Sequence, residues 1–422
     1  MTRISGLLAL FISCLTVALL FGPALDSTGQ EKKTDKKDEK KTDKKDEKKS
    51  DKKEEKKDDK KEEKKIEEKK PEPFKPDVPQ VEINAYGKIW ITAMSLSSDG
   101  KLLATAGRDR TVKIWDLAGK KDIQTLKGHP GAVNSVLFIQ DKIATTTGAW
   151  NKEKKAWESE IRIWDVKSGK QERAFKGHTD AVEAAALSKD GKILVTASLD
   201  QTVKIWDIAA GKEMQTLKGH TDKVLCVAVT ADGKKVATGS ADRTVKIWDA
   251  AAGKDLATFK IERIVKIPAP PAKKEADPKD KKKEAKTKDK KEEDPKAKKE
   301  TEVKELGRDF TAVAFSPDGK KLAAANLDGQ IKIYDVDSAK EIKELKAPDG
   351  IWALAFSPDG TKLASAGWDK TITVWDVAAG KGINTIKAHM ETVTALVFTS
   401  DGQRIISGGL DGMVKIWSAS KK

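Results

Sequence analysis

An all-β ring of seven repeated blades is the fold this 422-residue sequence predicts, and three observations carry that prediction. The first is a Trp-Asp pair, or a near copy, at Trp115-Asp116, Trp164-Asp165, Trp206-Asp207, Trp248-Asp249, Tyr334-Asp335, Trp375-Asp376 and Trp417-Ser418. The second is the spacing of these aromatics, 49, 42, 42, 86, 41 and 42 residues, the period of a tandem supersecondary unit. The third is the turn chemistry. SSDG, SKDG, TADG, SPDG, SPDG and TSDG each put Asp-Gly between two apolar runs, where paired strands reverse tightly.

Taken in order, residues 1–24 come first. Arg3 precedes an apolar stretch of 18 residues, Ile4 to Phe21, and Gly22-Pro23-Ala24 follows. That is the pattern of a secretory signal peptide cleaved after Ala24, so the expected location is exported: periplasmic, secreted or bound to the cell envelope. The stretch is also just long enough for an uncleaved anchor, the one expected route to a membrane. Residues 25–80 read as a charged linker. Within 31–70 stand 20 Lys and 16 acidic residues in four-residue units, which stack like charges at every i,i+4 pair of a helix, so an extended disordered tether is expected. Pro71, Pro73, Pro76 and Pro79 stiffen its end.

The propeller is expected over 81–420. One unit shows its plan: an apolar strand Val182–Leu187, the turn at Asp190-Gly191, a second strand Ile193–Ser198, a tight turn at Asp200, a third strand ending at Trp206 and a fourth near Met214–Lys218. Four strands per unit and seven units make a seven-bladed propeller. The seventh unit lacks a fourth strand of its own, and 81–86 is placed to supply it. Two irregular gaps remain. The gap of 86 residues holds a Lys/Glu/Asp/Pro-rich insertion at about 266–306, expected to be disordered; that of 49 puts AWNKEKKAWESE, 149–160, into a turn. The latter is open between a hairpin with Trp150 against Trp157 and an irregular loop.

The copies RDRTVKIWD, LDQTVKIWD, ADRTVKIWD, LDGQIKIYD, WDKTITVWD and LDGMVKIWS resemble the WD40 repeat, and the resemblance covers about 81–420. It implies ring closure by strands from both ends of the domain. It also implies a role for the four histidines: the His of a Gly-His or Ala-His pair bonds the turn Asp, and the network runs through Ser or Thr to the closing Trp. Matching positions are His178, Thr196, Asp200 and Trp206; His220, Thr238, Asp242 and Trp248; and His389, Ser407, Asp411 and Trp417. Other blades depart. The first has Thr105, Asp109 and Trp115 without His. The second has His129, Thr145 and Trp164, with Glu160 as a candidate substitute for the turn Asp. The fifth has Asp328 and Tyr334 but Ala324 in place of Ser or Thr. The sixth has Ser365, Asp369 and Trp375 without His.

With every His assigned to structure, none remains for a hydrolytic triad or a zinc site. No phosphate loop is present, and no catalytic residue, metal or cofactor is expected. The resemblance implies binding of a protein or peptide on the face that carries the blade-connecting loops and tight turns. Candidate residues there are Trp90, Arg108, Glu183, Leu199, Lys223, Leu225, Trp352, Trp368 and Leu410, with Trp150 and Trp157 on the enlarged turn. Trp and Arg dominate interface hot spots because they join large area to polar reach. The expected protein is a monomeric, non-catalytic interaction scaffold with no specific nucleic-acid partner. A binder of polyanions is the alternative, since the formal net charge is +15. A propeller with a ligand or a reaction in its central channel ranks last.

Overall fold

The computed structural model describes residues 76–267 and 301–420, so residues 1–24 and the linker to residue 75 lie outside it. Seven four-stranded antiparallel sheets form the domain. In the first blade the strands run Ile91–Leu96, Leu102–Gly107, Val112–Asp116 and Lys121–Leu126, from inside to outside in chain order. Five further blades repeat this order. The seventh takes its outer strand from the start of the domain: Val81–Asn84 pairs with Met413–Ser418, Val81 opposite Ile416 and Asn84 opposite Met413.

Local chemistry sets each turn. In blade 1 Ser97 Oγ donates to Asp99 Oδ1 at 2.7 Å, Leu102 N donates back to Ser97 Oγ at 2.9 Å, and Gly100 takes φ +71°. The left-handed backbone is what reserves that position for Gly. The same device recurs at Ser188, Thr230, Ser316, Ser357 and Thr399. Blade 2 lacks it and turns instead through Gln140 and Asp141, between the paired Ile139 and Lys142.

The core lies between blades. Trp375 of blade 6 packs with Ala323, Ile331, Ile333 and Leu345 of blade 5, and Trp417 of blade 7 packs on Ala364 and Val374 of blade 6. Trp115 of blade 1 meets Ile83, Ile406, Val414 and Ile416 of blade 7, which closes the circle. Each closing aromatic therefore cements its blade to the one before it. A closed ring also leaves no exposed sheet edge at the junction of first and last strands.

One open reading is decided and one expectation needs adjustment. The segment 149–160 is a hairpin: Lys142–Asn151 and Ala156–Asp165 pair along their whole length, with Trp150 directly opposite Trp157. Their rings meet edge-on, 5.8 Å between centroids. The expectation of disorder at about 266–306 is corrected at both ends, because Glu262–Ile267 pairs antiparallel with Thr301–Leu306. Ile and Val suit a strand, and the register sets Val265 opposite Val303, Arg263 opposite Glu305 and Lys266 opposite Glu302. Residues 268–300 lie outside the described residues.

Deleting 76–84 unpairs Met413–Ser418 and strips Ile83, 5% exposed, from the core between blades 7 and 1. Thermal unfolding should then shift down by more than about 5 °C as one cooperative transition. A separate early transition with an unmoved main one would show that the strand merely decorates blade 7.

Candidate partner-binding face

Antiparallel order puts the start of each inner strand, the end of each second strand and the tight turn beyond it at one end of the blade. Backbone bonds lock this arrangement. Arg108 N donates to Trp90 O at 3.1 Å, Leu199 N to Ala181 O at 3.0 Å, Trp368 N to Gly350 O at 3.0 Å and Leu410 N to Thr392 O at 2.9 Å. The residue before each turn Asp is thus tied beside the residue before the inner strand. Trp90, Arg108, Glu183, Lys223, Leu225, Trp352, Trp368 and Leu410 are all half-buried, Leu199 is buried, and only Trp150 is exposed among the sequence-derived candidates, at 46%, with Trp157 half-buried opposite it.

The structure gathers these residues into groups. In blade 1 the Arg108 guanidinium lies over the Trp90 ring, 4.6 Å from its centroid. In blade 6 Trp352 and Trp368 lie with ring centroids 6.3 Å apart. On blade 3, burial pushes the Glu183 carboxyl up to about 7, Asp180 adds to this, and the charges of Lys223 and Arg108 act against it. One carboxylate thereby couples groups from blades 1, 3 and 4.

Beneath this face run the histidine networks. His178 Nδ1 donates to Asp200 Oδ2 at 2.8 Å, Thr196 Oγ1 donates to His178 Nε2 at 2.9 Å, and Trp206 Nε1 donates to Thr196 Oγ1 at 2.9 Å. The carboxylate acceptor at Nδ1 fixes the tautomer. The matching distances are 2.7, 2.7 and 2.8 Å for His220 with Asp242, Thr238 and Trp248, and 2.9, 2.7 and 2.8 Å for His389 with Asp411, Ser407 and Trp417. Burial opposes ionisation of Asp200 and Asp242, and the bonds from His178 and His220 outweigh it, holding both carboxyls well below the usual range. The glycine before each of these residues in blades 3 and 4 admits the neighbouring Trp: a Cβ on Gly219, at φ +148°, would stand 3.2 Å from the Trp248 ring.

Two networks differ from the sequence expectation. In blade 1 the missing His is replaced by Tyr86, which the sequence reading passed over. Its hydroxyl donates to Thr105 O at 2.7 Å and accepts from Lys113 N at 3.2 Å, while Trp115 Nε1 donates to Thr105 Oγ1 at 2.9 Å. Burial pushes the Tyr86 hydroxyl up to about 12. Ala85-Tyr86 stands 43 residues before Gly128-His129, so the period itself could have flagged it. In blade 2 Glu160 does not take the place of the turn Asp. It pairs with Arg162 at 2.7 Å, and His129 Nδ1 donates instead to Arg110 O at 3.1 Å. Lengthening the hairpin has moved the turn away from the ring nitrogen. Burial, helped by Arg162, pushes His129 down to about 4.

A second repeating device was also invisible in the sequence. Each inner strand opens with an irregularity in register after its first residue. The next residue turns toward the following blade. Thr92 Oγ1 donates to Val133 O at 2.5 Å, Asn134 Nδ2 to Val182 O at 3.1 Å, Thr394 Oγ1 to Ile91 O at 2.6 Å, and Thr311 Oγ1 to Ile351 O. Glu183, Leu225 and Trp352 occupy the same place in blades 3, 4 and 6. Among the described residues none of these three makes that bond, although in blade 4 the Cys226 thiol reaches Phe310 O at 3.8 Å. The indole Nε1 of Trp352 is buried without a hydrogen-bond partner.

Comparison with known proteins agrees with this architecture. The family model described as WD domain, G-beta repeat matches residues 79–116, 169–207, 211–249, 339–376 and 380–418, and the anaphase-promoting complex subunit 4 WD40 domain model matches 298–353. The chain belongs to the WD40-repeat β-propeller family. Relatives include a U3 snoRNP-associated protein-like protein of Arabidopsis thaliana, 34% identical over 16% of this chain and 14% of its own. Others are a guanine nucleotide-binding protein subunit beta of Schizosaccharomyces pombe, 33% identical over 16% and 22%, and a U3 small nucleolar RNA-associated protein 15 homolog of Xenopus laevis, 37% identical over 14% and 12%. The chain thus spans under a quarter of each of these relatives. All three are proteins of the cell interior, and this corrects the expectation of an exported protein that residues 1–24 raised.

Two substitutions test the networks of this WD40 chain. Tyr86→Phe removes a buried donor and leaves Thr105 O and Lys113 N poorer in partners, so chemical denaturation should show a loss of about 1–3 kcal/mol. For His129, the folded value lies near 4 and the unfolded one near 6.5, so the unfolded chain takes up the proton first. Stability from this group is therefore whole above pH 6.5 and is lost as pH falls toward 4, by roughly 3 kcal/mol in all. The difference in unfolding free energy between wild type and His129→Gln should change with pH across that window and be flat from pH 7 to 8.

Proposed function

We propose that this WD40 propeller is a non-catalytic interaction platform that presents its tight-turn face to a protein or peptide partner. The observation that carries the reading is the comparison of seven equivalent places at the opening. Four hold a Thr or Asn that ties one blade to the next. A bonding solution is thus available at this position, and Glu183, Leu225 and Trp352 depart from it. Residues that decline a structural bond at the rim of a rigid ring are free to serve a ligand. Rigidity itself supports binding, because loops already fixed lose little conformational freedom on association.

The four histidines are engaged in bonds to hydroxyls of the second strands. Cys226 is buried and its thiol is pushed up to about 12 by burial, far from the reactive thiolate range. These features favour a platform over an enzyme. The rim also weighs against the polyanion alternative, since Asp180, Glu183, Asp309 and Asp369 carry carboxyls raised above their ordinary values chiefly by burial, and further negative charge would add to that strain.

Affinity capture with the full chain tests the reading. Trp352→Ala with Trp368→Ala should remove a captured protein while the unfolding temperature moves by no more than about 4 °C. Retention of the same partner by this folded variant would move the binding site elsewhere. A steep fall in capture with added salt, with nucleic acid in both eluates, would favour the polyanion alternative.

A further inference from the structure

Blade 6 departs from the repeat in three ways at one place. Its inner strand, Ile351–Phe356, carries Trp352 where other blades carry the Thr or Asn tie. Its turn residue Asp369 has no His partner, for Pro348 follows Ala347 where His389 follows Ala388. Its residue before that Asp is Trp368. Trp368 adjoins Asp369 in the chain and is tied to Gly350, whose carbonyl accepts from Trp368 N at 3.0 Å and on which a Cβ would stand 2.9 Å from the Trp368 ring.

The charge at this place is uncompensated. Asp369 accepts from Thr371 N and Thr371 Oγ1, both at 2.9 Å. Asp349 accepts from Gly350 N at 2.8 Å. Among the described residues no ion pair reaches either carboxylate, whereas Asp200, Asp242 and Asp411 each have a His. Burial raises the Asp369 carboxyl, and the neighbouring charge of Asp349 raises it further. Trp368 adjoins Asp369 in the chain, its ring is tilted against that of Trp352 with centroids 6.3 Å apart, and Trp352 Nε1 is a buried donor without an acceptor.

Blade 1 shows how the same chain fills a comparable spot. Arg108 occupies the place that Trp368 holds in blade 6, and its guanidinium lies 4.6 Å from the centre of the Trp90 ring. There the cation is supplied by the chain; in blade 6 Gly350 holds the place of Trp90, the second indole comes from Trp352 at the place of Thr92, and among the described residues no cation of the chain pairs with Asp349 or Asp369. We infer that Trp352, Trp368, Asp349 and Asp369 form a subsite for an arginine side chain of the partner. This rests on the platform reading above and names the chemistry of what it binds. A planar guanidinium stacks on indole and forks onto a carboxylate, which a compact ammonium does less well.

The test uses the full chain labelled with nitrogen-15 and the peptide acetyl-Gly-Ala-Arg-Ala-Gly-amide as probe. The indole resonances are assigned with Trp352→Phe and Trp368→Phe, and a citrulline peptide of the same shape provides the uncharged control. Expected are saturable shifts of both indole N–H signals with the arginine peptide, and at least tenfold weaker binding of the citrulline peptide. Asp349→Asn with Asp369→Asn, which keeps the Oδ1 acceptors for Gly350 N and Thr371 N and the side-chain shape, should lower the affinity for arginine to that for citrulline. Equal affinities for the two peptides, an unchanged affinity in the Asn variant, or no saturable shift would each overturn the subsite. Partner capture by the Asn variant separates the two readings: a partner lost with the two Trp yet fully retained with the two Asn leaves the platform standing and removes the arginine.

Discussion

Everything in this ring depends on how a large aromatic ring is buried between two blades without stranding its polar atom. Burying the strand-closing Trp removes a large apolar area from water and welds its blade to the preceding one. Its N–H must then find an acceptor in a dry interior. A Ser or Thr on the second strand supplies one, at 2.8–3.0 Å in six blades. In five of these blades His or Tyr86 gives that hydroxyl a partner for its own proton, and in blades 3, 4 and 7 the chain of bonds ends on the turn Asp at the binding face. Packing in the core and the aim of the surface loops are in this way one problem. Blade 5 confirms the logic by exception: Tyr334 replaces Trp, Ala324 replaces the hydroxyl, and the Tyr ring stacks on Phe259 with centroids 4.0 Å apart.

The fold was legible in the sequence because the repetition is periodic and the closing aromatic marks the same point in each unit. The Asp-Gly turns were legible for a similar reason, since a left-handed backbone leaves few residue choices. Tyr86 was missed because it precedes the first repeat and because a phenol, not an imidazole, performs the task. The ring of ties through Thr92, Asn134, Thr311 and Thr394 was missed because a Thr at the start of a strand reads as ordinary β propensity. Only the irregular register that follows the first residue of each inner strand turns it toward its neighbour. The ends of the insertion were misread because Lys and Glu dominate its composition, while the paired strands carry only a few Ile, Val and Leu.

Of the residues named as a binding face, the structure unites some and separates others. Trp352 with Trp368 and Arg108 with Trp90 are true neighbours. Trp150 and Trp157 are satisfied chiefly by each other across their hairpin. Leu199 is buried, so its place on the rim is structural. Asp349 was absent from the sequence reading, since one more Asp in a loop carries no signal until Asp369 and two indoles are found beside it.

The two-stranded ribbon between blades 4 and 5 has a mechanical meaning of its own. Gly307 N donates to Ile261 O at 2.7 Å, and Ile261 is 1% exposed, so the ring is already sealed where the ribbon begins. Flexible residues inserted beyond the ribbon's far ends would add only the slowly growing entropy of a longer loop, about 0.6 kcal/mol for each doubling. The junction behaves as an expansion joint: length can change there without stress on the blades. A foreign domain grafted between its strands should leave the ring standing, and evolution could lengthen or shorten the segment at little cost.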